Sequence, residues 1–433
     1  MSSSEPSTSR AQPFNRQAQH DAKRPAILSE AARLFNGKGS RATTLQDIAA
    51  SLGLTKTSLY YYVRTKEELI YQCYLATLQR QHQALDELEA RTGVPVERVV
   101  GFLKRQFDQW QDARSGRDVH LAALLEIASL NDEHRAAIEG AYIDLFRRLR
   151  GYLRDGMADG SLRDGDSTSM TRAIIGSLDW VFHWLHSVPE DDAAAAAEQA
   201  ADLLLHGLYA GPGCYHSAIG QADVDKGVTS SGFDRDEQNR LKQEAFYKAG
   251  TWLFNKKGFN GASLDEIAEY LNVSKGAFYY HIRNKEDLLY NCYSHSLAIV
   301  ERVYREADRA GSTGIEKIDY ASRRTFLIQN SDLGPLIRYN TITALPTDRR
   351  LEVLARTDAA NNHFLDFLAQ GVADGSIRAV DPLVARNLLA GAINASMDIS
   401  LWRRVDDIDD AARDYFDVFF NGLLPREPAP ATD

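Results

Sequence analysis

The chain has 433 residues, enough for two or three domains. Apolar residues make up 44% and charged residues 25%, a globular balance that excludes disordered, collagen-like and disulfide-scaffold proteins. A net charge of -10, from 50 Lys and Arg against 60 Asp and Glu, argues as an average against a nucleic-acid partner. Residues 1–21, rich in Ser, Gln and Arg, read as a flexible arm without the apolar core of a signal peptide. No apolar run reaches the roughly 18–20 residues that span a bilayer, so a cytoplasmic protein without a membrane partner is expected. Cys73, Cys214 and Cys292 form no CxxC pair, so no disulfide framework, zinc site or other cofactor is expected.

Taken in chain order, the first predicted helix runs from Pro25 to Asn36 and stops at Gly37-Lys38-Gly39-Ser40. Thr44-Leu-Gln-Asp47 has the form of a capping box opening a second helix. Leu45, Ile48, Ala49 and Leu52 give that helix one apolar stripe. Gly53 suits a tight left-handed turn, and Thr55 then caps a third, short helix whose Leu59 and Val63 point inward. Thr65 caps the next. Two helices across a three- or four-residue turn, under a supporting first helix, make a helix-turn-helix. Further on, Ile138, Tyr142, Leu145, Leu149 and Leu153 form another helix face. Gly211-Pro-Gly213 and the polar stretch to about Gly232 read as a surface linker.

Beyond the linker the pattern starts again. Between Leu34 and Tyr74, 19 of 41 positions are identical to those 219 residues later, without a gap. Gly156-Met-Ala-Asp-Gly-Ser-Leu-Arg163 returns as Gly371-Val-Ala-Asp-Gly-Ser-Ile-Arg378, now at an offset of 215. Ser263-Leu-Asp-Glu266 repeats the capping box, Asn272 the left-handed turn, Ser274 and Asn284 the caps, and Phe278 and Ile282 the inward pair. Val353, Ala360, Phe364 and Leu368 fill most of the second long helix face. One unit of about 200 residues is written twice, and no strand pattern interrupts it. The expected fold is all-α: an arm (1–21), head 1 (22–75), body 1 (76–210), a linker (211–236), head 2 (237–294), body 2 (295–425) and a tail (426–433).

The exposed side of each third helix indicates a function. Copy one presents Lys56, Thr57, Tyr60, Tyr61 and Tyr62 there, and copy two Lys275, Gly276, Tyr279, Tyr280 and His281. Hydroxyls, a lysine and an imidazole suit phosphate oxygens and base edges in a major groove. Thr44, Lys66, Ser263 and Lys285 stand at helix starts, where free N–H groups favour an anion. Local charge agrees, with +4 over residues 21–80 and +2 over 240–299, leaving -16 for the remainder. Double-stranded operator DNA is therefore the expected partner, and the whole-chain charge misleads. His183 and His186 stand alone as metal candidates, and no paired carboxylates or nucleophile–base set repeats, so neither a metal site nor an enzyme is expected.

Thr55-Lys-Thr-Ser-Leu-Tyr-Tyr-Tyr-Val63 and Ser274-Lys-Gly-Ala-Phe-Tyr-Tyr-His-Ile282, each followed by Lys-Glu-(Glu/Asp)-Leu, resemble the DNA-binding motif of TetR/AcrR-family repressors. The resemblance implies two tandem TetR-like units, each a three-helix helix-turn-helix head on a helical ligand-binding and dimerisation body. It also implies a cytoplasmic repressor that a small molecule releases from DNA. Thr57, Tyr62, Val63 and Ile282 depart from the family's usual Gly, His and Phe, and the first two fall on the DNA-facing side. The Gly-x-Ala-Asp-Gly-Ser-(Leu/Ile)-Arg block and Trp180-Val-Phe-His-Trp184 resemble members that answer acyl-CoA or other hydrophobic acids. Trp110, His120, Trp180 and Trp184 are accordingly candidates to line an effector pocket. With both heads on one chain, an intrachain pseudo-dimer is expected, with its last two helices per copy (166–208 and 381–423) forming a four-helix contact. A further homodimer is left open. The alternative is one degenerate head, copy one being the suspect, on a chain serving mainly in ligand sensing or protein interaction.

Overall fold

A computed structural model describes residues 14–124, 127–189, 192–217, 219, 235–397 and 399–427, and among them no strand forms beyond a single bridge between Tyr209 and Ile377. Copy one comprises α1 (Phe14–Ala42), α2 (Leu45–Ser51), α3 (Lys56–Tyr60), α4 (Lys66–Arg91), α5 (Pro95–Arg114), α6 (Asp132–Asp159), α7 (Ser167–Leu178), α8 (Val181–Trp184) and α9 (Ala193–His206). Copy two follows with α10 (Arg235–Gly261), α11 (Leu264–Tyr270), α12 (Lys275–His281), α13 (Lys285–Ala310), α14 (Gly314–Gln329), α15 (Thr347–Asp374), α16 (Pro382–Ala395) and α17 (Ile408–Asn421).

The start of α1 differs from the sequence expectation. The helix begins at Phe14 and carries Pro25 inside it, so residues 14–21, read as arm, are helical. Good helix formers around the proline, among them Gln, Ala, Lys and Arg, outweigh the loss of one backbone bond. Residues 1–13 of that arm lie outside the described residues. The stop is where the glycines put it. Gly39 (φ 80) and Gly258 (φ 68), 219 residues apart, leave helical geometry and release the chain towards the next helix.

Each body is built on the predicted stripes. Ile138, Leu145, Leu149 and Leu153 are buried on α6, as are Val353, Ala360, Phe364 and Leu368 on α15. Helices α7 and α9 pack against α16 and α17, and one apolar core runs unbroken through both bodies. A second core centres on Phe246, Phe254 and Phe278 of head 2 and takes in Ile337, Ile342 and Val353 of body 2.

The seam between the bodies has matched halves. Gly176 on α7 and Gly391 on α16 are equivalent positions, and each lets its helix touch the other: a Cβ on Gly176 would lie 2.3 Å from the Ala395 Cβ, and one on Gly391 2.5 Å from the Trp180 Cβ. Gly207 (φ 69) and Gly422 (φ 74) meet in the same reciprocal way at the ends of α9 and α17. The repeated Gly-x-Ala-Asp-Gly-Ser-(Leu/Ile)-Arg block also belongs here. Arg163 donates from its backbone to Leu423 O (2.9 Å) and from Nε to Gly422 O (2.5 Å). Arg378 does the same to Leu208 O (2.9 Å) and Gly207 O. Their guanidiniums pair with Asp417 and Asp202, equivalent residues of the opposite copies. A patch in which residue i meets j while j meets i is an isologous contact, here inside one chain. The block thus clasps the copies together, which is a structural task where sequence resemblance pointed to an effector.

The linker is shorter than expected. Tyr215 stacks on Phe420 (5.3 Å), its N–H donates to Asn421 Oδ1 (2.5 Å), and Ser217 accepts from the buried Arg323 (2.8 Å). Residues 211–217 are therefore tied to body 2 rather than free on the surface.

Candidate nucleic-acid interface and interior cavities

Local sequence positions the two third helices almost identically. Thr44 caps α2 in a full capping box: Asp47 donates its N–H to Thr44 Oγ1 (3.1 Å) and its carboxylate accepts from Thr44 N (2.8 Å). In copy two Ser263 caps α11, but Glu266 does not close the box. Its longer side chain reaches back to Lys257 and forms an ion pair instead. Gly53 (φ 64) and Asn272 (φ 52) then make the turn in left-handed backbone, as their residue types predict. Thr55 and Ser274 cap α3 and α12, and Thr65 and Asn284 cap α4 and α13. Leu59, Val63, Phe278 and Ile282 are all buried. Thr55→Ala or Ser274→Ala should each cost about 1 kcal/mol of helix stability. Faster hydrogen exchange in α3 or α12, with the bodies unchanged, would register it.

On the outer face Lys56, Thr57, Lys275 and Gly276 are exposed. Tyr61 and Tyr280 are 75% and 86% exposed, and Tyr60 and Tyr279 nearly half. Four tyrosines this open to solvent on helices this short are unusual for ordinary surface. Tyr62 and His281, expected on the same face, turn partly inward. Tyr62 packs on the core of head 1, and His281 lies 5.6 Å from the Phe246 ring.

Lys66 and Lys285 do not face outward either. Lys66 Nζ donates to Ser40 O (2.9 Å) and Thr43 O (3.3 Å), tying α4 to the end of α1. Lys285 Nζ donates to Asn260 O (3.4 Å) and lies 4.7 Å over the Phe259 ring. Burial, helped by nearby Arg41, lowers its pKa. Arg41 belongs to head 1 yet covers the Phe259 ring of head 2 at 4.3 Å, so the heads touch.

The heads differ in charge beside their third helices. Asp265 occupies the place of Gln46, is half-exposed, and pairs with Lys275 Nζ at 2.6 Å. Tyr279 donates to its other oxygen (3.3 Å). Hydrogen bonding from Lys275 lowers the Asp265 pKa, and Asp265 raises that of Lys275. Lys56 has no such acid and sits 5.7 Å over the Tyr60 ring.

The candidate effector residues are scattered. Trp110 borders a small cavity of about 80 Å³ with Gln81, Gln106 and Phe182. Trp184 is buried edge-on against Phe107 (5.9 Å). His120 is half-buried by the first helix, its backbone N–H on Ser29 Oγ (2.8 Å), and burial lowers its pKa. Trp180 alone borders a larger cavity, of about 210 Å³, at the seam. Tyr142, Arg172 and Asp179, none of them picked out as site residues from sequence, are also there. Arg172 Nη1 donates to the Tyr142 hydroxyl (3.2 Å), which donates to Asp179 Oδ2 (3.1 Å). Asp179 is exposed where it lines the cavity, and desolvation by the protein packed around it pushes its pKa up to about 6. His183 is driven down to about 3 by burial and stays neutral. The signal in the sequence was one Arg and one Asp, seven residues apart, at the start and end of an apolar helical run. Burial also pushes the Cys73 and Cys292 thiols up to about 12, so neither is a reactive thiolate. Among the described residues no group of His, Cys, Asp or Glu is arranged to hold a metal, and no helix is long and apolar enough to cross a membrane.

Known proteins match in the same pattern. The family described as bacterial regulatory proteins, tetR family, matches residues 27–73 and 246–291, and the tetracyclin repressor-like C-terminal domain matches 95–208 and 300–423. The HTH-type transcriptional repressor KstR2 of Mycolicibacterium smegmatis is 24% identical over 214 residues, 46% of this chain and 97% of the relative. The transposon Tn10 TetC protein of Escherichia coli is 28% identical over 165 residues, 36% of this chain and 79% of the relative. A solved TetR family regulator, PfmR from Thermus thermophilus, is 30% identical and covers 41% of this chain and 95% of its own, with a TM-score of 0.35. Both family domains occur twice and in order, so the chain belongs to the tetR family of bacterial regulatory proteins, as a DNA-binding, non-enzymatic transcription regulator written in two tandem copies.

Proposed function

We propose that the chain is a repressor acting as a covalent pseudo-dimer, with head 1 (22–75) and head 2 (237–294) on one operator and bodies 76–210 and 295–425 holding their spacing. A small hydrophobic or acyl-type effector releases it. The observation that carries this reading is the reciprocal seam, which occupies the surface that a second chain would otherwise need. Paired helix-turn-helix heads must present their third helices about 34–36 Å apart, one DNA turn, and a fixed seam supplies that constraint within a single chain. Lys56, Thr57, Tyr60, Tyr61, Lys275, Gly276, Tyr279 and Tyr280 are assigned to the DNA face, with Thr44 and Ser263 at its edge. Tyr62 and His281 contribute from its rim. Heads that differ at 57/276, 58/277 and 62/281 favour half-sites that are related but unequal.

Sedimentation of the full chain with operator DNA tests the arrangement. One chain per operator duplex is the expected result; two chains on one duplex would replace it with a dimer carrying four heads. A second reading, one weak head, is favoured by the Asp265–Lys275 pair. On that reading the weaker head would be head 2, the opposite of the assignment from motif alone.

A further inference from the structure

We propose that the cavity at the seam binds one aromatic carboxylic acid per chain, with the carboxylate on Arg172 and the ring against Trp180 and Tyr339. The proposal rests on the effector-released reading above and adds the place, the number and the chemistry of the ligand.

The cavity of about 210 Å³ lies between the copies, with Tyr142, Arg172, Trp180 and His183 on one wall and Arg338 and Tyr339 on the other. That volume is several times the roughly 30 Å³ a water occupies in the liquid. Arg172 has a buried Nε without a hydrogen-bond partner, and so has His183 at Nε2. Buried guanidinium N–H groups are normally satisfied, and a carboxylate is their strongest common acceptor. Asp179 does not fill that role, because the Tyr142 hydroxyl stands between the two. Arg172 is also held in place from behind, 5.2 Å over the Trp402 ring of copy two. Arg172 therefore offers a buried N–H donor to an anion that enters the cavity. Trp180 and Tyr339 meet edge to face at 5.6 Å and offer an aromatic corner for a flat apolar body.

Copy two has no counterpart. At the offset of 215, Tyr142, Arg172, Asp179 and Trp180 become Thr357, Asn387, Asn394 and Ala395. Asn394 and Ala395 themselves line the copy-one cavity, so one site serves the chain. Its position suits control of the heads. Ile127 and Tyr339 border the cavity and begin two short 3-10 turns, Ile127–Ser129 and Tyr339–Ala344. The first packs on α10 and the second on α1, each the opening helix of the other copy's head. His183 and Tyr339 also line a second cavity of about 360 Å³ that reaches Gly39 and Thr343. A ligand wedged against these turns would therefore push on both heads at once.

The test uses the full chain without DNA and reads tryptophan fluorescence and calorimetry with phenylacetate, indole-3-acetate and isovalerate. Phenylacetamide and phenethylamine serve as neutral and cationic counterparts. An aromatic acid should bind with one equivalent per chain, and Arg172→Met should weaken it roughly tenfold or more. Asp179→Asn should tighten binding by removing a like charge, a gain that a purely structural role would not give. It also decides the matter if Arg172→Met fails to fold. Asn394→Leu, from the other copy, should fill the cavity and abolish binding. No binding of either aromatic acid at about 10 mM, equal binding of amide or amine, two equivalents per chain, or indifference to Asp179→Asn would each overturn the proposal. Operator release is measured separately. Binding without release leaves the site standing and removes the effector-released reading.

Discussion

Replacing Gly391 with leucine should separate the two bodies and abolish specific operator binding. The added Cβ would meet the Trp180 Cβ at 2.5 Å and Gly176 O and Ser177 Cα at 2.9 Å, and two of these three atoms are backbone. Backbone cannot rotate away, so α7 and α16 must part. Overpacking of this kind costs typically 1–3 kcal/mol, and the absence of any flexible neighbour places this case near 3. Gly176→Leu should behave alike, since its Cβ meets Ala395 at 2.3 Å and Gly391 O at 3.4 Å. Gly140→Ala is the control, on the exposed side of α6 with open space around its Cβ. It should stabilise α6 by roughly 0.5–1 kcal/mol. Urea midpoints report the cost. A shift in operator affinity well beyond the shift in non-specific affinity would report lost head spacing. Unchanged operator binding in a folded Gly391→Leu protein would show that the seam does not set that spacing.

Removing the docking face of one head at a time should give unequal losses. Lys56→Ala with Tyr61→Ala is expected to weaken operator binding roughly 10- to 100-fold and to lower the salt slope by about one unit. Lys275→Ala with Tyr280→Ala should cost less, because Lys275 must leave Asp265 before it reaches a phosphate. Asp265→Gln, which installs the residue of copy one, should raise affinity several-fold and steepen the slope by releasing that lysine. Gel-shift titrations between about 50 and 200 mM salt would resolve these slopes. Equal losses from the two heads, with no response to Asp265→Gln, would mean that Asp265 does not restrain head 2.

The fold was legible because local rules and the repeat agreed. Thr55, Ser274, Gly53 and Asn272 each announce a cap or a turn by residue type alone, and each does that job. Where local reading fell short, a distant residue had intervened. Lys66 and Lys285 look like anion-binding lysines at helix starts, yet carbonyls at the end of the first helix of their own copy claim them. Ser263 looks like half of a capping box, but Lys257 takes its partner Glu266. The seam cavity was harder still, since Arg338, Tyr339 and Trp402 come from the other copy and no spacing along the chain brings them to Arg172. The Gly-x-Ala-Asp-Gly-Ser-(Leu/Ile)-Arg block was conspicuous because it recurs. Its purpose lies across the seam, where Arg163 and Arg378 exchange places.

The reciprocal glycines have a consequence for how this molecule tolerates change. In an assembly of two identical chains, every substitution is made twice, and a group that helps on one side of the axis must be endured on the other. Here Gly176 and Gly391 are separate codons, so each face of the contact can be altered alone. Nor can dilution part them, because a tether keeps the local concentration of each half high whatever the amount of protein in the cell. A buried arginine can then sit on one side and an asparagine on the other, as at 172 and 387, with no second copy of the charge to accommodate.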